Sequence, residues 1–128
     1  MIEIEIIPPP PAPNLLNTKH WSYRHKLRKR ILKEVWSQMV GKYVRTPILI
    51  HSTRYSVQTM DDGNLQENIK IPVDCLMSLI PVPVGLSEGQ WKRWADSSRY
   101  VQYGKITQER VGKRKHEKLV LRIEQGVK

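Results

Sequence analysis

The chain has 128 residues with 22 Lys+Arg against 12 Asp+Glu, a formal net charge of +10. That length predicts one domain over residues 1–128 with a small core, and the charge points to a polyanionic partner. No apolar run nears the roughly 20 residues of a membrane span, Met1-Ile2-Glu3-Ile4-Glu5 does not read as a secretion signal, and the single Cys75 excludes an intramolecular disulfide, so a reducing cytoplasm is expected.

Residues 1–7 place Ile2, Ile4 and Ile6 on one face and Glu3 and Glu5 on the other, the period of a half-buried strand. The prolines between Pro8 and Pro13, interrupted by Ala12, force an extended exit. From about His20 to Val40, Leu27, Ile31, Leu32, Val35, Trp36 and Met39 form a stripe at helical spacing. The rest of this helix carries Arg24, Lys26, Arg28, Lys29, Arg30 and Lys33, and no acid falls between Lys19 and Lys33. A solvated helix normally mixes signs, so this run favours an anionic partner.

Residues 47–55 are rich in β-formers and predict a second strand. A second helix is expected from about Asp62 to Leu79, on the stripe Leu65, Ile69, Val73, Leu76 and Ile80, with Pro72 kinking it or moving its regular part later. Cys75 falls in this apolar stretch and reads as core filling. Ser87-Glu88-Gly89-Gln90 has capping-box spacing and opens a short helix through Trp94. Strands near Arg99–Thr107 and Lys118–Glu124 flank a basic turn around Gly112. The fold class expected is α+β: a small mixed four-stranded sheet with two main helices packed on it. The four tryptophans are expected mostly in the core, and Trp91-Lys92-Arg93-Trp94 is the segment where aromatics between cations suit stacking on unpaired bases.

Three of the chain's four aspartates, Asp61, Asp62 and Asp74, stand close together in a basic sequence. Like charges that gather are costly unless a cation or proton neutralises them. Helix capping accounts for one of the carboxylates at 61 and 62, and an ordinary i,i+4 surface pair accounts for Lys70 with Asp74. Metal-dependent phosphodiester hydrolysis accounts for all of them together.

Four segments in order resemble the RusA-type Holliday-junction resolvases, especially phage and prophage variants. They are Ile6-Ile7-Pro8 through Pro13-Asn14; Leu15-Leu16 with His20-Trp21 and the basic Arg24–Lys29 helix; Thr53-Arg54-Tyr55-Ser56 leading to Met60-Asp61-Asp62-Gly63-Asn64-Leu65, Lys70 and Asp74; and Asp96-Ser97 before Arg99-Tyr100-Val101 and Tyr103-Gly104. The resemblance implies a homodimeric, Mg²⁺-dependent endonuclease (with Mn²⁺ as an alternative ion) that cuts branched, four-way DNA symmetrically and has no membrane role. It implies catalytic roles for Asp61, Asp62, Lys70, Asp74 and Asp96, with Asp61, Asp62, Asp96 and Asp74 as metal ligands. Gly63 stands where the motif has its second aspartate, so Asp62 is expected to supply the missing ligand, and the alternative is a junction-binding relative without activity. DNA contacts are expected from Asn14, Lys19, His20, Arg24, Lys26, Arg28, Lys29, Arg54, Lys92, Arg93, Lys113, Arg114 and Lys115. A basic RNA-associated domain would explain the charge but not the carboxylates.

Overall fold

The computed structural model describes residues 1–12 and 20–126. Four strands form one mixed sheet in the order β1-β4-β2-β3, with β1 at Ile2–Ile6, β2 at Ile48–Ser56, β3 at Val101–Arg110 and β4 at Lys118–Gln125. β4 runs antiparallel to both β1 and β2, whereas β2 and β3 are parallel. The chain therefore does not fold its last two strands into a hairpin around Gly112. Composition gives the reason. Leu119, Val120, Leu121 and Ile123 are all buried, which suits a central strand, while β3 carries Gln102, Lys105, Thr107, Gln108 and Glu109 and takes an edge.

One face of the sheet makes the core. Ile4 pairs with Leu121, Ile6 with Leu119 and Ile50 with Ile123, so these side chains share a face. On it pack Leu27, Ile31 and Val35 of α1 (Trp21–Met39) and Val73, Leu76 and Met77 of α3 (Lys70–Ser78). Each fully buried side chain of this kind contributes roughly 1.5–3 kcal/mol of transfer free energy. The buried stripe of α1 is narrower than its sequence suggests. Trp36 is 59% exposed and Met39 only half-buried, because a single layer of helices covers one flank of α1 and leaves the others to solvent. Trp21 is exposed as well, so of the four tryptophans only Trp91 is buried in the core.

The second helix is two helices. α2 (Asp62–Asn68) ends at Ile69 and α3 begins at Lys70. Pro72 cannot donate a backbone hydrogen bond, and its ring would collide with the carbonyl four residues back, that of Asn68. The break falls where that pressure acts. The stripe Leu65, Ile69, Val73, Leu76 and Ile80 is still buried throughout, and Cys75 is buried with it. α4 (Glu88–Trp94) starts with the full capping box: Ser87 Oγ accepts from Gln90 N–H at 3.1 Å, and Gln90 Oε1 accepts from Ser87 N–H at 2.9 Å.

β3 holds one extra residue opposite β2, since Ile50 pairs with Tyr103 but Ser52 pairs with Ile106. His51 fills the gap, its Nδ1 accepting from the Lys105 N–H at 3.0 Å. The His51 ring occupies the place where a Cβ at position 104 would stand, so only glycine fits there. Among the described residues no helix is long and apolar enough to cross a membrane.

Candidate functional site

A cleft of about 820 Å³ opens between α1, α3, the chain after α3, and α4. Asp74 and Asp96 both line it, with Arg28 from α1 and Glu88, Lys92 and Arg93 from α4. Each reaches the cleft for a local reason. Asp74 lies a turn after the Ile69 break, on the side of α3 that meets α1; there the Arg28 guanidinium comes within 3.9 Å of its carboxylate, both side chains half-exposed. Asp96 follows the last turn of α4, whose position is fixed by the capping box and by Trp91, buried edge-on against Tyr100 at 5.1 Å.

The carboxyl of Asp74 is pushed above the usual range. Burial is the main cause, and the charge of Asp96 adds to it, while Arg28 and Lys70 pull the other way. Tyr103 of β3 feels the same site. Burial raises its phenol, and both Asp74 and Asp96 raise it further. Asp74, Asp96 and Tyr103 thus form one electrostatic unit. Tyr103 stays protonated at neutral pH and is available there as a donor. Tyr103-Gly104 belongs to the fourth segment of the resemblance, which assigned it no role, and the spacing of two between Tyr103 and the buried Val101 is a signal that they share one face of the sheet.

Asp61 and Asp62 sit elsewhere. Asp61 is the N-cap of α2: its Oδ1 accepts from the Asn64 N–H at 2.8 Å and its Oδ2 from Asn64 Nδ2 at 3.2 Å. Asp62 is exposed in the first turn, and neither lines the cleft. Among the described residues no three His, Cys, Asp or Glu side chains gather closely enough to hold a metal together. The expected ligand set of Asp61, Asp62, Asp74 and Asp96 is therefore divided, with Asp74 and Asp96 sharing one site and the other two at a helix start. Gly63 has no positive φ, and a Cβ there would meet only Asp61 Oδ1 at an ordinary 3.6 Å, so the backbone does not require glycine. Lys70 is exposed, with its Nζ 3.9 Å from Glu67, and acts on Asp74 only through its charge.

Two carboxylates suit Mg²⁺, which commonly binds through one or two of them and completes its shell with water and substrate phosphate. Asp74 and Asp96 are hard oxygen donors of that kind, and burial together with the charge of Asp96 holds back the ionisation of Asp74.

The expected DNA contacts also divide. Arg24, Lys26, Arg28 and Lys29 are exposed on α1, and Lys113, Arg114 and Lys115 are exposed at the 3₁₀ turn Arg114–His116. His20 is exposed, but its Nδ1 caps α1 by accepting from the Ser22 N–H at 3.2 Å. Arg54 is not an exposed side chain like the others, and it reaches solvent only through the cavities it lines. It is 8% exposed, and its Nη1 donates to Pro10 O at 2.7 Å and to Asn68 Oδ1. Asn68 in turn donates to Pro10 O at 3.0 Å and Pro11 O at 2.9 Å, so this pair fastens the proline turn to the fold. Asn14 and Lys19 lie outside the described residues. Trp94, at 39% exposure, is the aromatic of α4 that remains accessible beside Lys92 and Arg93. The chain matches no family model, no curated protein and no solved structure.

Proposed function

We propose that the protein is a metal-dependent, structure-selective endodeoxyribonuclease that resolves four-way DNA junctions by paired symmetric nicks, in recombination and repair or in phage DNA processing in the bacterial cytosol. The carrying observation is the Asp74–Asp96 pair in a cleft edged by Arg28, Lys92 and Arg93, on a chain of net charge +10. A polyanion is drawn to such a surface, and a cation is drawn to the acidic spot within it.

Asp74 and Asp96 would hold Mg²⁺ or Mn²⁺, which when bound activates water and neutralises charge on the phosphate. The chain's own residues do the rest. Arg28 restrains the Asp74 carboxylate, Lys92 and Arg93 hold phosphates at the cleft edge, and Lys70 adds positive charge beside Asp74. Tyr103, whose phenol burial and the two aspartates keep protonated, would offer an O–H donor. Two matched cuts are most simply made by two copies of one site, so the active form is a twofold homodimer on branched DNA. The resemblance of the Asp61–Asp74 segment and of Asp96 to RusA-type resolvases supports the same reading.

A second reading rests on a specific observation: Asp61 caps α2 and Gly63 replaces a carboxylate, which suits a junction-binding protein that does not cut. The test incubates labelled four-way junction and matched linear duplex with the protein in Mg²⁺, Mn²⁺ or EDTA. Symmetric nicks confined to the junction and abolished by EDTA support the nuclease. Tight junction binding with no nick in either metal supports the second reading.

A further inference from the structure

A second cavity, of about 590 Å³, opens on the other flank of α1 between the proline turn and the 3₁₀ turn. Lys26 and Arg30 line it, each two positions from Arg28, and at 100° per residue that places them on the side of α1 away from the acidic cleft. Arg54 and Arg114 complete a group of four cations, against which Glu117 is the one carboxylate among the described lining residues. A smaller cavity of about 240 Å³ shares Arg54, Arg114 and Glu117 and extends to Met60, the residue before Asp61.

The charges in this cavity are incompletely matched. Glu117 Oε2 accepts from the Val57 N–H at 2.8 Å, which ties it to the backbone. Arg30 is held by the carbonyls of Ile7 and Pro8 and by Glu34. Lys26 and Arg114 have no ion-pair partner among the described residues. Arg54 is more than nine-tenths buried, the acceptors of its Nη1 are neutral, and its Nε has no hydrogen-bond partner among the described residues. Glu117 is the one carboxylate whose charge reaches Arg54, and burial of the guanidinium outweighs it, so a second anion entering the cavity would meet a charge that is only partly offset and weakly screened. Pro8, Pro9 and Leu27 give the same cavity an apolar wall, which suits a sugar better than bulk water.

The geometry points to a phosphate subsite here, in which a DNA backbone phosphodiester sits between Lys26, Arg114 and the buried Arg54 with its deoxyribose against the proline turn. This inference rests on the DNA reading above but not on cleavage. It puts a backbone contact on the far side of α1 from the acidic cleft, so α1 is gripped on two flanks.

The test compares two double variants that remove equal charge from exposed positions: Lys26→Gln/Arg114→Gln in the cavity, and Lys42→Gln/Arg45→Gln outside it. Binding of the full chain to a labelled four-way junction and to linear duplex is titrated over a salt series in EDTA, where no cutting occurs. The cavity pair is expected to weaken both DNAs by about tenfold or more and to reduce the salt slope by about 0.9 for each phosphate that is no longer neutralised. The outer pair is expected to cost under about threefold. Equal losses from the two pairs would overturn the subsite, since diffuse charge would then suffice. A thermal shift with inorganic phosphate that the cavity pair abolishes, without any change in DNA affinity, would also overturn it in favour of a free anion. Absence of nicking in Mg²⁺ and Mn²⁺, with the binding difference intact, removes the nuclease reading and leaves the subsite standing.

Discussion

Asp74, in the middle of α3, and Asp96, just past α4, face one cleft, where the charge of Asp96 raises the cost of ionising Asp74 and Arg28 offsets it. Residues on separate elements that repel are usually held together for a reason other than stability. The pair therefore yields opposite expectations for stability and for activity.

Asp74→Asn is expected to leave the fold as stable as the wild type or slightly more stable at pH 7. The folded-state value of Asp74 is raised, so the native state holds its proton more tightly than the unfolded chain does. Its contribution is favourable below the ordinary carboxylate value of about 3.9 and is lost as the pH rises through the higher folded value. Thermal melts from about pH 4 to pH 7 should show a smaller decline in the variant, and the half-exposure of Asp74 keeps the difference small. A large destabilisation at pH 7 would mean that the Arg28 contact outweighs the repulsion.

Cleavage should respond in the other direction. On the proposed nuclease reading, Asp74→Asn and Asp96→Asn are each expected to lower junction nicking by about 100-fold or more, because a metal-assisted reaction would draw several kcal/mol from its ligands. Binding measured in EDTA should change little or tighten, since each variant removes negative charge near the phosphates. Gly63→Asp is expected to leave nicking within about twofold, because position 63 adjoins Asp61 and not the cleft. A clear gain in nicking would move the metal site to the start of α2.

Asn68→Ala is expected to destabilise the protein by about 3 kcal/mol, measured by urea unfolding. It removes an acceptor of the buried Arg54 and two hydrogen bonds to Pro10 and Pro11 at once. A cost below about 1 kcal/mol would show that the Arg54–Pro10 bond and the Arg30 bonds to Ile7 and Pro8 hold the turn without Asn68.

Gly104→Ala should cost about 2 kcal/mol, because its methyl group enters the His51 ring. In a His51→Ala background the same change should cost under about 1 kcal/mol, a coupling that a double-mutant cycle reads directly. His51 Nδ1 accepts from Lys105, which assigns the ring proton to Nε2, 3.4 Å from Glu124. Equal costs in the two backgrounds would locate the strain in the backbone.

Much of the local structure was set by the order of residues alone. The alternation of Ile2, Ile4 and Ile6 produced β1, the spacing of Leu27, Ile31 and Val35 produced α1, and Ser87 with Gln90 opened α4, since each depends on neighbours within one or two turns. The mixed four-stranded sheet was legible as a class, and so was the cationic surface of α1.

Which carboxylates meet was decided only by the tertiary structure. The resemblance implied Asp61 and Asp62 as partners for Asp96, but a helix start claims Asp61 locally, and the packing of α3 against α1 brings Asp74 to the cleft that Asp96 also lines. The insertion of β4 between β1 and β2, the burial of Arg54 beneath the proline turn and the exposure of Trp36 belong to the same class. Each depends on surfaces far apart in sequence that compete for a limited buried area, and no local pattern of residues records the outcome of that competition.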